Sequence, residues 1–381
     1  MNHSAPTVDS PATFQLLRSG DEYFGALLAA IEAARRSVRL ETYIFAPSSV
    51  GERVREALVA AAQRGAVVRV LVDALGSRAL SEDFWAPLHQ AGGQFKWFNP
   101  LALGRLAYRD HRKLLVCDEA VGLIGGFNIA PEYEGDGVSR GWRDVGLRLT
   151  GPPAAELAQE FDVQFARADF KHKRLQRLRP ARHALTGADN WKLLLSGPGR
   201  RHGEIKRTLT QDLRAAQSVQ IVAAYFLPTW RLRRQLLAVA RRGGRVQLIL
   251  AGRTDVWLSQ LASRSLYQRL LRRGIEIFEY QPQVLHAKLF LVDDAVYVGS
   301  ANLDTRSLQI NYELVLRVTD PTLAGQARAL FEDIRSHSQP INRQMWRQSR
   351  TWWNKLRERW AYFILARLDP LLARWQLKNL R

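Results

Sequence analysis

The chain alternates short apolar stretches with amphipathic ones, and it does so twice in the same order. Apolar, β-branched stretches predict strands, and apolar residues three or four positions apart predict helices. In the first half the predicted strands are residues 37–45 and 67–72, and the predicted helices are residues 20–35, 53–64 and 81–90. In the second half the strands are residues 218–226, 246–250 and 275–280, and the helices are residues 204–216 and 235–242. This order predicts an α/β protein of two similar domains, each with a mixed sheet flanked by helices.

One further strand in each half carries a histidine and a lysine at its start. Both copies of this pattern read H-x-K-x-x-x-x-D, and the residues are His111, Lys113 and Asp118, then His286, Lys288 and Asp293. A small-residue turn and an asparagine follow each copy, as Gly125-Gly126-Phe127-Asn128 and Gly299-Ser300-Ala301-Asn302. Two copies with the same trailing pattern are a far more specific signal than one.

The spacing predicts where these side chains lie. Residues two apart on a strand share a face, so the histidine and lysine of each copy point the same way. Asp118 is seven residues from His111, which gives it the opposite parity and a distance of roughly 23 Å along an extended strand. We therefore expect Asp118 and Asp293 in the turn after each strand. The returning strand of the hairpin then brings Asn128 beside His111 and Asn302 beside His286.

These residue types suit chemistry at a phosphate. Lysine supplies a point charge for a phosphate oxygen, and histidine can attack phosphorus or transfer a proton. Glycine lets a backbone N–H approach an anion closely. The predicted phosphate-binding groups are Asn128, Asn302, Gly126 and Ser300.

Two acids follow the hairpins, each directly before a strand: Asp144 and Glu313. A reactive histidine needs a carboxylate on its other ring nitrogen to fix its tautomer and raise its basicity. Since parity places Asp118 and Asp293 elsewhere, we assign this histidine-orienting role to Asp144 and Glu313. The alternative is that both are ordinary acids at the edge of a strand.

The duplicated H-x-K-x-x-x-x-D pattern resembles the phospholipase D superfamily, over residues Thr13 to Ser336. Within it, three segments resemble the bacterial cardiolipin synthases: Leu40–Phe45, Tyr108–Lys113 and Asn302–Glu313. Many members of that branch begin with two membrane spans. This chain is similar to the shorter form without them.

The resemblance implies two phospholipase D-like domains related by pseudo-twofold symmetry, with one site shared by the two halves. It implies a covalent phosphohistidine, no metal and no cofactor, and it includes all six motif residues (His111, Lys113, Asp118, His286, Lys288 and Asp293) among the catalytic ones. The expected activity is transfer of a phosphatidyl group from phosphatidylglycerol to a second phospholipid. Two alternatives stay open: hydrolysis to phosphatidic acid, and cleavage of nucleic acid as in some relatives.

The net charge of the chain limits the classes of binding partner. The 381 residues carry 56 Lys and Arg against 36 Asp and Glu, a net charge of +20. Such a surface attracts polyanions, either nucleic acid or anionic lipid headgroups. Since no apolar stretch reaches the ~18 residues of a membrane span, we expect peripheral contact at the cytoplasmic face of a bacterial inner membrane. The single cysteine, Cys117, is expected in the core, which fits a reducing compartment.

The expected domain boundaries are a flexible N-terminus (1–12), the first domain (13–166), a basic linker (167–190), the second domain (191–336) and a helical tail (337–381). The last 41 residues hold ten Lys and Arg, two acids and five of the 11 Trp. Basic residues with Trp favour contact with an anionic membrane. The alternatives are a helix docked on the body with Trp in its core, or single-stranded nucleic acid. We expect phospholipid, and not nucleic acid, as the partner. We also expect the protein to be a monomer.

Overall fold

The computed structural model describes residues 11–100, 107–168, 190–198 and 203–371. Backbone contacts divide the chain into two compact units, Met1–Gly187 and Ala188–Arg381. The predicted flexible N-terminus and basic linker lie mostly outside the described residues, as does Trp375 of the tail. Each unit is an α/β domain with a sheet covered by helices.

Within its described residues, the first unit has seven strands and four helices. Its strands are β1 (Thr13–Leu17), β2 (Ser37–Thr42), β3 (Val67–Asp73), β4 (Gln94–Phe98), β5 (Leu114–Cys117), β6 (Val121–Gly125) and β7 (Gly146–Thr150). Its helices are α1 (Gly20–Ala33), α2 (Ser49–Gln63), α3 (Ala86–Gln90) and α4 (Pro152–Ala166). A short 3-10 turn, Glu82–Trp85, occupies the first half of the predicted helix 81–90.

The sheet of the first unit is mixed, with strand order β1-β7-β6-β5-β2-β3-β4. Strands β2, β3 and β4 are parallel, and β5, β6, β7 and β1 continue antiparallel. The side chains of β2 and β3 that face α1 and α2 form a continuous apolar core, in which Val38, Val54 and Val70 are fully buried. Cys117 belongs to this core, as predicted, and burial raises the pKa of its thiol.

The second unit has eight strands and seven helices among the residues that the structure describes. Its strands are β8 (Trp191–Ser196), β9 (Ser218–Ala223), β10 (Arg245–Arg253), β11 (Glu276–Val284), β12 (Lys288–Val292), β13 (Ala295–Gly299), β14 (Glu313–Val318) and β15 (Ser338–Pro340). Its helices are α5 (Glu204–Asp212), α6 (Trp230–Arg241), α7 (Trp257–Leu271), α8 (Thr305–Gln309), α9 (Pro321–Ser336), α10 (Arg343–Gln348) and α11 (Trp352–Phe363). A π-helical turn, Ile364–Leu368, continues α11.

The second sheet repeats the first and adds one edge strand. Its order is β15-β11-β10-β9-β12-β13-β14-β8, with β9, β10 and β11 parallel. Strand β12 pairs with β9 as β5 pairs with β2, and the hairpin partner β13 follows in the same way. The predicted duplication, the mixed sheets and both hairpins are confirmed. The edge strands β1 and β8 and the helix α7 were not predicted.

Helices α10 and α11 pack on the second unit, chiefly on α7. Trp346 packs against Tyr267 of α7, with ring centroids 4.9 Å apart and the rings tilted by 37°, and Ala361 is buried in the core. The other described tryptophans of this segment face outward, since Trp352, Trp353 and Trp360 are about 60% exposed. The described tail is therefore a docked helix, but most of its tryptophans are not core residues.

Candidate active site

In the first unit the histidine and the lysine of the motif lie at the edge of the sheet where the parallel strands end. His111 and Lys113 directly precede β5, which runs antiparallel to β2, so they come next to the carboxyl end of β2. Lys113 is 2% exposed, and its Nζ donates a hydrogen bond to the carbonyl oxygen of His111 at 2.7 Å. His111 is half-buried. A buried ammonium beside a partly accessible imidazole suits an anionic phosphate.

Tyr43, at the end of β2, contacts both of these residues, although it lies outside the H-x-K-x-x-x-x-D motif. Its ring lies 5.0 Å from the ring of His111, at an angle of 58°, and the Nζ of Lys113 lies 5.3 Å from its centroid. Gly76 makes room for it, because a Cβ there would lie 2.2 Å from the Tyr43 carbonyl oxygen and 2.8 Å from its ring. In the second unit the corresponding residue is Ala224, as the shared strand register shows.

In the second unit the histidine and lysine are in direct contact. The Nζ of Lys288 lies 2.8 Å from Nδ1 and 3.2 Å from Nε2 of His286, and it also donates to the His286 carbonyl oxygen. Both side chains are almost fully buried. In both motifs the lysine donates to the carbonyl oxygen of its histidine, and in the second motif it also contacts the imidazole ring.

The two asparagines close the ends of β2 and β9. Oδ1 of Asn128 accepts from the N–H of Ile44 at 3.1 Å, and its Nδ2 donates to the hydroxyl of Tyr133 at 2.6 Å. Oδ1 of Asn302 accepts from the N–H of Tyr225 at 3.3 Å. The hairpin thus returns each asparagine to the strand end that adjoins the motif histidine. Since Oδ1 of each asparagine accepts from the protein, only Nδ2 can donate to an anion, and Nδ2 of Asn128 already gives one of its two hydrogens to Tyr133.

The prediction that Gly126 and Ser300 offer bare backbone amides is wrong. Their N–H groups donate to the carbonyl oxygens of Val145 and Leu314, at 3.1 and 2.9 Å, because the β6–β7 and β13–β14 pairings extend to these residues. Gly126 instead leaves space for an acid: a Cβ there would lie 2.1 Å from Oδ1 of Asp144.

The two predicted histidine-orienting acids are both buried and sit against these turn residues. Asp144 is 1% exposed, and its Oδ1 accepts from the N–H of Val145 at 2.8 Å. Glu313 is fully buried and accepts from the hydroxyl of Ser300 at 2.5 Å. The corresponding positions therefore differ, because Gly126 leaves space for the Asp144 carboxylate, whereas Ser300 donates a hydrogen bond to Glu313.

The motif aspartates lie in the hairpin turns, as parity predicts, at the far end of the strand from each histidine. The Asp118 carboxylate accepts from three backbone N–H groups, of Arg35, Arg36 and Ser37, at 2.7–2.9 Å. Partial burial would raise the pKa of Asp118, but these hydrogen bonds outweigh it and lower the pKa below its usual value. Asp293 accepts from Gln217 and Ser218 in the same manner. Both residues bind the hairpin to the start of the neighbouring strand. The expectation that Asp118 and Asp293 are catalytic residues is therefore corrected, because their carboxylates lie at the far end of the strand from the histidines.

A buried network of charges surrounds His111 in the first unit. Asp73, at the end of β3, accepts from the N–H of Asp110 at 2.9 Å and pairs with Arg109 at 3.3 Å. Asp110 accepts from the N–H of Arg112 at 3.2 Å. Burial, together with the charge of Asp110, holds the pKa of Glu41 well above its usual range, and the Nε of Arg112 lies 3.9 Å from Glu41 Oε1.

The second unit has apolar or small residues at the corresponding positions, which are Val222, Ala251, Val284, Leu285 and Ala287. The ionic framework is therefore specific to the first motif. Among the described residues, no cluster of three or more His, Cys, Asp or Glu side chains is arranged to hold a metal ion.

The sequence matches one family model twice, in step with this duplication. The family is described as "Cardiolipin synthase, PLD-like domain", and it matches residues 27–168 and 209–335. The chain is 32% identical to cardiolipin synthase B of Salmonella typhi over 370 residues, covering 95% of this chain and 89% of that protein. It is 31% identical to cardiolipin synthase 1 of Bacillus anthracis over 350 residues, covering 88% and 69%. The chain belongs to the cardiolipin synthase family of phospholipase D-like proteins.

Solved structures show the same fold at lower sequence identity. The phosphatidylserine synthase of Haemophilus influenzae Rd KW20 matches with a TM-score of 0.73 and 15% identity, covering 97% of both chains. A polyphosphate kinase from Porphyromonas gingivalis matches with a TM-score of 0.59 and 17% identity, over 90% of this chain and 50% of that one.

Proposed function

We propose that this protein is a phosphatidyltransferase that makes cardiolipin from two molecules of phosphatidylglycerol. The observation that carries the proposal is a histidine with a buried lysine beside it at the same edge of each of two duplicated sheets. Family membership supports it, because relatives named cardiolipin synthase align over nearly the whole chain. A histidine–lysine site can hold a phosphodiester and transfer it in two steps, each easier than a direct displacement.

In the first proposed step, Nε2 of His111 attacks the phosphorus of one phosphatidylglycerol, and the bond from phosphorus to the glycerol oxygen breaks. His286 gives a proton to that oxygen, so glycerol leaves and a phosphatidyl–histidine remains. In the second step, His286 takes the proton from a hydroxyl of another phosphatidylglycerol, whose oxygen attacks the phosphorus and releases His111. The products are cardiolipin and glycerol, and both histidines return to their initial states.

The remaining residues have supporting roles in this proposal. Lys113, Lys288 and the Nδ2 groups of Asn128 and Asn302 bind the phosphate oxygens, whose charge grows in the transition state. Asp144 and Glu313 orient the histidines, and their burial beside the turns is consistent with that role. An Asp144→Asn enzyme should lose activity by about 100-fold or more, as expected when a triad-type carboxylate is neutralised. The exposed acid Asp83 provides the control, as Asp83→Asn.

The test is product analysis with vesicles of phosphatidylglycerol. The native protein should form cardiolipin and glycerol, and His111→Ala and His286→Ala should form neither. His89→Ala is the control, because His89 is exposed and lies on α3. Phosphatidic acid as the main product would show that water is the acceptor. No lipid turnover, combined with cleavage of a nucleic acid, would overturn the proposal in favour of a phosphodiesterase.

We propose further that the protein works as a monomer attached peripherally to the cytoplasmic face of a bacterial inner membrane through residues 337–381. No helix in the described ranges has the length and apolar character needed to cross a bilayer. The outward-facing tryptophans of α11 support attachment by this segment. Its test is cell fractionation, in which alkaline carbonate should release the protein from membranes and high salt should release only part of it.

A further inference from the structure

Helix α11 and the π-helical turn after it have two apolar faces, and one of them is docked. Ala361 is 1% exposed, and Tyr362, Leu365 and Ala366 pack partly buried against the core of the second unit. The hydroxyl of Tyr362 accepts from Nη1 of Arg233 on α6 at 3.4 Å. This inner face fixes the rotation of the helix about its own axis.

A buried ion pair fixes the helix further. Arg350, between α10 and α11, pairs with Glu358 of α11, and its guanidinium lies 4.4 Å from the ring centroid of Trp346. Both charged side chains are less than 10% exposed. Separating the pair would leave a buried charge unpaired, which disfavours positions of α11 that move Glu358 away from Arg350.

The outer face of α11 stays exposed although it is as apolar as the inner one. Its large side chains are 38–63% exposed, and they are Trp352, Trp353, Leu356, Trp360 and Phe363. At 100° per residue these positions fall within about 100° of one another around the helix. This contiguous apolar surface is not part of the core of the protein. Exposed apolar surfaces of this kind mark binding sites.

Charge identifies the occupant as an anionic bilayer. The outer face is flanked by Lys355, Arg357 and Arg359, whereas the acids of the described tail, Glu358 and Asp369, are both engaged in ion pairs. A second copy of the chain would bring an equal positive charge to this surface. Trp and long basic side chains are the residues that occupy the headgroup region of a membrane, with their polar ends in water.

The end of this lipid-facing segment is tied to the loop that carries Asn302. Arg306 donates two hydrogen bonds to Asp369, from Nε at 3.1 Å and from Nη2 at 2.6 Å. Arg306 lies in α8, whose first turn is capped by Asp304 through the N–H of Ser307 at 2.7 Å. The carbonyl oxygen of Ser307 accepts from the Ser196 hydroxyl at 2.5 Å. A short, well-anchored path thus runs from the tail to the loop after β13.

We propose that the Arg306–Asp369 ion pair couples docking of the outer face of α11 on an anionic bilayer to the position of the loop 302–311. The lipid surface is then held at the edge of the second sheet where His286 and Asn302 lie. This inference rests on the proposed function, because it assumes that the substrate is in the bilayer. Docking alone requires the outer face, whereas coupling requires the ion pair.

Sedimentation with phosphatidylglycerol vesicles separates the two roles. Trp353→Ser with Trp360→Ser should weaken vesicle binding by about tenfold or more, since each loses a large apolar contact with the interface. Asp369→Asn should bind vesicles within about twofold of the native protein, because it leaves the apolar face intact. Trp230→Ser is the matched control, because Trp230 is 59% exposed but belongs to α6. An equal loss in the Trp230 variant, or no loss in the α11 variant, overturns the docking surface.

Activity then tests the coupling. Asp369→Asn should lower transfer on vesicles by about five- to tenfold per bound enzyme, but leave transfer between short-chain, monomeric phosphatidylglycerol molecules within about twofold. The charge-exchanged pair, Arg306→Asp with Asp369→Arg, should recover most of the vesicle activity. An equal loss on both substrates in Asp369→Asn would show a merely structural role and overturn the coupling.

A readout without catalysis keeps this inference distinct from the proposed function. In hydrogen exchange, the amides of residues 302–311 should become more protected when vesicles are added to the native protein, and Asp369→Asn should abolish that change while still binding. If the native protein turned over no lipid yet showed this pattern, the proposed function would fail and the coupling would stand. Vesicle binding without any change in these amides would overturn the coupling.

Discussion

Tyr43 distinguishes the surroundings of the two motif histidines. Its ring packs against His111 and lies within cation–π distance of Lys113, whereas the corresponding residue in the second unit is Ala224. An aromatic face near an ammonium stabilises it, and a ring against an imidazole limits the rotamers of both. Tyr43 is therefore a positioning residue for the first motif.

We expect Tyr43→Phe to keep most of the activity, since the ring is retained. Tyr43→Ala should lower kcat by about tenfold or more with a smaller change in KM, because poorly positioned reacting groups affect the transition state more than binding. The measurement is steady-state transfer on phosphatidylglycerol. Full activity in Tyr43→Ala, or equal losses in the two variants, would contradict a positioning role for the ring.

The turn residues Gly126 and Ser300 occupy corresponding positions, but alanine at each should destabilise the protein for a different reason and to a different extent. Gly126→Ala would place a Cβ 2.1 Å from the Asp144 carboxylate, so the acid must move. Ser300→Ala removes a hydroxyl that donates to Glu313 and accepts from the N–H of Leu314. We expect Gly126→Ala to destabilise the protein by about 2 kcal/mol or more and to reduce activity strongly. Ser300→Ala should cost about 1–2 kcal/mol.

Thermal or urea unfolding measures this difference, and activity at a temperature where both variants are folded completes it. If Gly126→Ala behaves like Ser300→Ala, Asp144 moves without consequence and its assigned role is weakened.

Residue-level chemistry was predictable where it depends on local spacing. The parity of Asp118 and Asp293 places them in the turns, and the structure confirms this. The motif does not reveal whether the N–H groups of Gly126 and Ser300 are hydrogen-bonded, because this depends on how far the pairing with β7 and β14 extends. Tyr43 was missed because its contact with His111 joins two segments that are 68 positions apart in the sequence.

At the scale of elements, buried charged residues connect β2 to the segment before β5 in the first unit, whereas the second unit has apolar or small residues there. Glu41 lies on β2 and is 1% exposed, next to Asp110. Burial and the Asp110 charge raise the pKa of Glu41 well above the value near 4.5 of an ordinary glutamate. The folded protein thus holds this proton to a higher pH than the unfolded chain does.

This raised pKa predicts a direction for stability. The contribution of Glu41 is fully present below about pH 4.5 and is lost as the pH rises through the folded pKa, because the folded state must give up a proton that it binds more tightly. Glu41→Gln carries no such proton. Its free energy of unfolding should therefore fall less steeply than that of the native protein as the pH rises above about 4.5.

The measurement is urea unfolding at several pH values, with the exposed Glu56→Gln as control. Parallel pH profiles for the native protein and Glu41→Gln would show that Glu41 does not hold its proton in the folded state.

The order of elements was predictable because amphipathic helices and apolar strands have distinct periods. Both hairpins and the strands β2, β3, β9 and β10 were found in this way. The edge strands β1 and β8 are short, and their partners lie more than 100 residues away, as Thr13 opposite Thr150 and Leu195 opposite Leu314 show. Local patterns contain little information about such pairings.

At the scale of the whole molecule, the duplicated units have diverged around a common framework. Strand order and both hairpins are shared, while the charged network of the first unit is replaced by apolar residues in the second. The proposed reaction gives His111 and His286 different roles, and the difference in their surroundings is consistent with that proposal. The tail adds a further feature, an apolar face with a basic border.

The net charge of +20 predicts how the molecule binds lipid. Charge attraction is screened over about 10 Å at 0.1 M salt and about 3 Å at 1 M, whereas the apolar contact of α11 is not screened. Binding to phosphatidylglycerol vesicles should therefore weaken by about tenfold or more between 50 mM and 500 mM salt, but should not vanish. The variant with Trp353→Ser and Trp360→Ser should lose the salt-resistant part and keep the salt-sensitive part.

Vesicle sedimentation over a salt series measures both parts, and vesicles of neutral lipid provide the control. A single-stranded oligonucleotide separates charge from lipid recognition. It should compete for the salt-sensitive part, since both partners are polyanions, but it should leave the binding at high salt unchanged. If the oligonucleotide displaced the protein fully at high salt, the tryptophan face would be a base-stacking surface, and the membrane assignment of the tail would be wrong.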